Sequence, residues 1–100
     1  MPSEREPVPD LLEGTVRFPE HVTFRSFARE TVALNLRTGQ FHGLNVTAGR
    51  MVELMRHHPR PRDAIGPLAA EYGVPEDQIE RDLAKLLELL LARELVELDT

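Results

Sequence analysis

A chain of 100 residues with four Phe, one Tyr and no Trp has room for one core, which Leu and Val must mostly build. The absence of Cys excludes a disulfide framework, a thiolate nucleophile and thiolate metal ligands. The formal charge of −5 is uneven: residues 1–70 hold nine Arg against eight acids, whereas 71–100 hold nine acids against three bases, leaving −6 there. An acidic end of this kind favours a basic partner over a phosphate backbone.

Residues 1–19 carry Pro2, Pro7, Pro9 and Pro19 among polar residues, with Leu11, Leu12, Val16 and Phe18 as the apolar exceptions. They read as a flexible N-terminal arm with a short docked piece near its end, and residues 20–98 as the folded domain. No apolar run reaches the length of a membrane span, and Met1-Pro-Ser-Glu-Arg5 lacks a signal-peptide apolar region. The expectation is a cytoplasmic protein with no membrane partner.

His21–Ala28 is a weak strand, because Val22 and Phe24 alternate with Thr23 and Arg25 until Phe27 breaks the pattern. Val32, Leu34 and Leu36 alternate cleanly with Ala33, Asn35 and Arg37, which predicts a half-buried strand with the larger apolar side chains on the core. Thr38-Gly39 supplies a hairpin turn, and Gln40–Leu44 returns as a third strand with no obvious partner after it. An open sheet edge is either covered or used for docking.

The period then becomes helical. Ala48, Met51, Val52 and Met55 mark one helix, capped by Asn45 or Thr47 and ended by His57-His58-Pro59. Ile65, Leu68, Ala69 and Tyr72 mark a second, closed by Gly73. Gly66-Pro67 places its start near Ala64–Gly66 or a kink there, since proline belongs in a first turn. A third helix opens at Pro75-Glu-Asp with Ile79, Leu83, Leu86, Leu87 and Leu90 on one face, and Leu89 and Leu91 widen the apolar surface. Leu95, Val96 and Leu98 either prolong it or turn back as a short strand. The fold class is therefore α+β and winged-helix-like, a three-stranded antiparallel sheet followed by three helices.

Catalytic motifs are missing. Gly39, Gly43 and Gly49 lack phosphate-loop spacing, Ser3 and Ser26 sit in no nucleophile elbow, and His21, His42, His57 and His58 show no metal-ligand spacing. No catalytic residue, metal or cofactor is expected, and the chain is not read as an enzyme. A helix-turn-helix reading would make the third helix the DNA reader, yet its start is Glu76, Asp77, Gln78, Glu80, Arg81 and Asp82, which phosphates would repel. A winged-helix DNA-binding regulator is therefore the alternative, and nucleic acid is not the expected partner.

Leu36-Arg-Thr-Gly39-Gln-Phe41-His-Gly43-Leu44-Asn45-Val-Thr47-Ala-Gly49-Arg, followed by Tyr72-Gly-Val74 and by Asp82-Leu83 with Leu86, Leu87 and Leu90, resembles the PqqD-like domains, or RiPP recognition elements. The resemblance spans roughly residues 20–98 and makes that stretch a PqqD-like peptide-binding domain. It implies a non-catalytic adaptor that takes the leader segment of a ribosomally made precursor peptide as an added strand. It places the leader on Gln40, Phe41, His42, Gly43 and Leu44, facing Glu76, Ile79, Glu80, Asp82, Leu83 and Leu86. PqqD proper tends to have a Leu-Leu-x-Pro-Glu type hairpin, where this chain has Leu34-Asn35-Leu36-Arg37-Thr38-Gly39. That form is more similar to the discrete leader-binding proteins of lasso-peptide pathways, which hand the precursor to a separate leader peptidase. The implied partners are a leader with basic residues and an aromatic or proline anchor, and a peptidase or other maturation enzyme. A PqqD-type chaperone of a different peptide-modifying enzyme is the alternative within the family.

Overall fold

In the computed structural model, which describes residues 11–99, β1 (Thr15–Arg17), β2 (Val22–Ser26), β3 (Thr31–Asn35) and β4 (Gln40–Leu44) come first. Helices α1 (Val46–His57), α2 (Pro61–Tyr72) and α3 (Glu76–Ala92) follow, then β5 (Glu97–Asp99). The antiparallel sheet runs β2-β3-β4, and β1 pairs antiparallel with β5 in a separate ribbon. The fold is α+β with the expected order of three sheet strands and three helices, plus this ribbon. Among the described residues no helix is long and apolar enough to cross a membrane.

The ribbon resolves the two ends. Residues 11–13 form a helical turn, Leu12 is fully buried, and the Val16 N–H donates to the Pro59 carbonyl at 2.8 Å. Phe18 packs edge-on against Phe24 of β2, and the Arg56 guanidinium of α1 lies over both rings. Over 11–19, then, the segment expected as part of an arm lies against the body, while residues 1–10 fall outside the described residues. At the other end, Leu95 and Val96 are buried and Leu98 pairs with Val16, so the chain turns back as a strand instead of prolonging α3.

The alternation in β3 is real, but its faces are the reverse of those expected. Thr31, Ala33 and Asn35 are buried against the helices, Val32 and Leu34 lie half-buried on the outer face, and Leu36 stands exposed in the turn. The reason is distance. A Cβ on Gly49 of α1 would collide with the Thr31 side chain, so α1 lies too close to β3 there for a large residue on the inner face. Alternation separates two faces; it does not say which is inside.

Asn35 turns this inner position to use. Its Oδ1 accepts from the N–H groups of Arg37 at 2.9 Å and Thr38 at 3.3 Å, and Gly39 takes a positive φ of 78° to reverse the chain. Asn45 caps α1 by accepting from the Ala48 N–H at 2.8 Å, so turn and cap bracket β4 at both ends. The second helix starts at Pro61, earlier than expected, and keeps the exposed Pro67 inside it at the cost of one helical donor. Arg50 of α1 forks onto Glu71 of α2, and that hydrogen bonding holds the Glu71 carboxyl below its usual range.

Gly49→Ala is expected to lower stability by about 1–3 kcal/mol in denaturant unfolding, and Thr31→Ala to recover part of the loss. Equal losses in both backgrounds would show that this approach is not the constraint. Asn35→Ala, which strands the turn N–H groups, is expected to cost a further about 1–3 kcal/mol.

Candidate functional site

Strand β4 pairs with β3 alone among the described residues, so one row of its N–H and C=O groups is open. Its register places His42 opposite the buried Ala33 and Gln40 opposite Asn35, which turns both toward the helices with Leu44. Phe41, opposite Leu34, and Gly43, opposite Val32, belong to the outer face.

The other wall is α3. The Arg93 guanidinium at its C-terminal end lies 2.8 Å from the Nδ1 of His42. At 100° per residue, Asp82, Leu86, Leu89 and Arg93 fall within about 60° of one another and form one stripe. Leu89 is exposed and Leu86 buried on that stripe. Where strand and helix meet, Thr38, Gln40, His42, Ala92, Arg93 and Glu94 line an open cleft of about 290 Å³.

This end of α3 is closed by an unusual residue. The Glu94 N–H donates to the Leu91 carbonyl and the Leu95 N–H to the Leu90 carbonyl, the paired bonds of a Schellman cap. Glu94 holds the left-handed conformation, φ 59°, where glycine is normal. The buried Leu90 and Leu95 secure it.

The expected site residues divide among four places. Gln40 and His42 line the β4–α3 cleft, Asp82 and the buried core residue Leu86 lie on the stripe beside it, and Phe41 and Gly43 face outward. Ile79 and Leu83 are core, and Leu44 is buried with them. Glu76 and Glu80 lie on the α2 side of α3, in a hollow shared with Arg62, Ile65, Gly66 and Asp77. There Arg62 donates to Glu80 and, at 3.0 Å, to Glu13. Sequence reasoning missed Arg93 and Glu94. The signal for Arg93 was its place four residues after Leu89 and seven after Leu86.

A second apolar feature occupies the outer face of the sheet. Thr23, Arg25, Phe27, Val32, Leu34 and Phe41 line a shallow groove of about 380 Å³, with Phe27 63% and Phe41 71% exposed. Two exposed phenylalanines over one groove exceed the scattered apolar exposure of an ordinary surface. Among the described residues no cluster of three His or acidic side chains is placed to hold a metal ion.

A strand edge open beside a helix wall is the arrangement on which an extended segment can add as a further strand, and the chain resembles known proteins with the same fold. The family model for coenzyme PQQ synthesis protein D (PqqD) matches residues 30–96, more than half of the sequence; the chain belongs to the PqqD family. The solved structure of TbiB1 in complex with the TbiA(beta) leader peptide is 32% identical, with a TM-score of 0.74 over 81% of this chain and 94% of that one. A lasso peptide synthetase B1 complexed with the leader peptide is 26% identical, with a TM-score of 0.75 over 83% of this chain and 98% of that one. No curated protein sequence matches the chain significantly.

Glu94→Gly is expected to raise stability by about 1–2 kcal/mol by removing the left-handed strain, read as a higher melting temperature. An unchanged or lower value would mean that the cap holds Glu94 without strain.

Proposed function

We propose that the chain is a non-catalytic adaptor that takes up the leader segment of a lasso-type precursor peptide as a fourth strand on β4. On this reading it presents the leader to a separate peptidase, in the cytoplasm where the precursor is made, and residues 20–98 constitute the binding domain. The open edge of β4 is the observation that carries the proposal. The two B1 structures solved with leader peptides support it.

Main-chain hydrogen bonds alone give such a complex little. Four or five, each worth roughly 0.5–1.5 kcal/mol net, are offset by roughly 1–2 kcal/mol per residue ordered. Side-chain anchors must supply the affinity, at about 1.5–3 kcal/mol for each large apolar group buried. The added strand would alternate like β4. On the inner side its residues meet the cleft and the Leu86–Leu89 stripe. On the outer side a residue beside Gly43 meets no side chain there, and can cover Val32 next to Phe41. An aromatic anchor suits that gap, because a strand glycine leaves room for close approach.

Presentation needs a second surface, and the outer groove is suited to it. A peptide strand on β4 would widen this same face by one strand, so a peptidase docked across Phe27, Leu34 and Phe41 would touch adaptor and leader together. The start of α3 offers nothing to DNA: Glu76 and Asp77 are exposed there, and Glu80 is engaged by Arg62.

The test uses the leader segment of a lasso-type precursor peptide, labelled and titrated against variants. Successive residues of an edge strand point their N–H groups to opposite sides, so one of His42→Pro and Gly43→Pro removes an outward donor. That variant is expected to keep its circular dichroism and to lose at least about fivefold in affinity. Full binding by both folded variants would rule out strand addition. Phe27→Asp is expected to leave leader affinity unchanged while abolishing adaptor-dependent cleavage by the peptidase, and unchanged cleavage would remove the outer groove from the scheme.

A further inference from the structure

We propose that Arg93 is a specificity-determining residue that selects an acidic side chain, Asp or Glu, at one inward-facing position of the bound peptide. The inference rests on the strand-addition reading and deepens it.

Of the helix arginines, Arg50, Arg62 and Arg81 each take a carboxylate, and Arg56 lies over the Phe18 and Phe24 rings. Arg93 makes no ion pair among the described residues, and its polar side-chain partner is the Nδ1 of His42. To accept from a guanidinium, that nitrogen must be unprotonated, so the contact joins a cation to a neutral group through one bond. A guanidinium presents five donors in a planar fork that matches a carboxylate with two parallel bonds and opposite charge. Arg93 is held at the site by a weaker acceptor than its chemistry allows.

The charges around it leave the vacancy in place. Glu94 lines the same cleft, yet it forms no ion pair with Arg93 or any other cation among the described residues. Asp82, the acid on the same stripe of α3, lies eleven residues earlier, about 16 Å along the helix at 1.5 Å per residue. Glu76 and Glu80 are on the far side of α3. No carboxylate among the described residues pairs directly with Arg93.

The strand geometry brings a carboxylate to it. Residues directly opposite on neighbouring strands share a face. His42 faces inward, so the peptide residue opposite His42 faces inward too, toward the guanidinium that now touches His42. A carboxylate there exchanges one neutral hydrogen bond for a charged pair and releases the imidazole. A basic leader residue at this one position would meet the Arg93 guanidinium with like charge.

The probe is a phage-displayed library of twelve-residue peptides, selected in parallel on the wild-type protein, Arg93→Gln and Arg93→Glu. Each protein is first checked for an unchanged melting temperature. Retained clones are those whose binding falls in the donor-removing proline variant of β4. Wild-type clones are expected to enrich Asp or Glu at one position of the aligned peptides. The preference should vanish with Arg93→Gln and turn to Lys or Arg at the same position with Arg93→Glu. Replacing that acid by its amide should weaken binding to the wild-type protein by about fivefold and leave binding to Arg93→Gln unaltered. Proline-sensitive clones with no acidic preference, or with one that Arg93→Glu leaves intact, would overturn the assignment while strand addition stands. A selection yielding no proline-sensitive clone would overturn strand addition, and this inference with it.

Discussion

The close approach of α1 to β3 governs what every other surface can be. With Gly49 against Thr31 there is no volume between helix and strand for a second large side chain, so the inner face of β3 takes threonine, alanine and asparagine. The larger Val32 and Leu34 are displaced to the opposite face, where Phe41 joins them from β4. A single tight contact thus produces both a core that depends on helix leucines and a sheet whose outer face is apolar. It also puts Asn35 where its side chain can organise the turn into β4.

The two walls of the candidate cleft are secured by different means. Hydrogen bonds at each end hold β4, from Asn35 in the turn before it and from Asn45 at the helix after it. Packing holds α3, with Ile79, Leu83, Leu87 and Leu90 in the core. They meet through Arg93 and His42, two polar side chains at the C-terminal end of the helix. A join of this kind is easily exchanged for another polar contact, unlike an interdigitated apolar one, whose opening would expose surface to water. The cleft can therefore accept a ligand without disturbing the core that supports it.

Much of this was legible in the sequence, for identifiable reasons. The bounds of β4 could be read because Gly39 and Asn45 are strong local signals, and the helices because their apolar period is regular. The inner face of β3 could not be read, since alternation carries no sign and the deciding distance lies between residues 18 apart. Residues 11–19 look like an arm because β1 is too short to show a pattern, and its partner β5 is more than 80 residues away. Within α3, periodicity put apolar residues on a common face without saying where along its length the helix meets β4. That meeting point involves a residue beyond the last full turn.

The β1–β5 ribbon places Thr15 directly across from Asp99, so the first strand begins beside the place where the last one ends. A body with such neighbouring ends can be spliced into a longer polypeptide almost as a single bead, because the flanking segments need span only one strand spacing. The same architecture can thus serve as a free-standing protein or as an insert within an enzyme, with no redesign of its core.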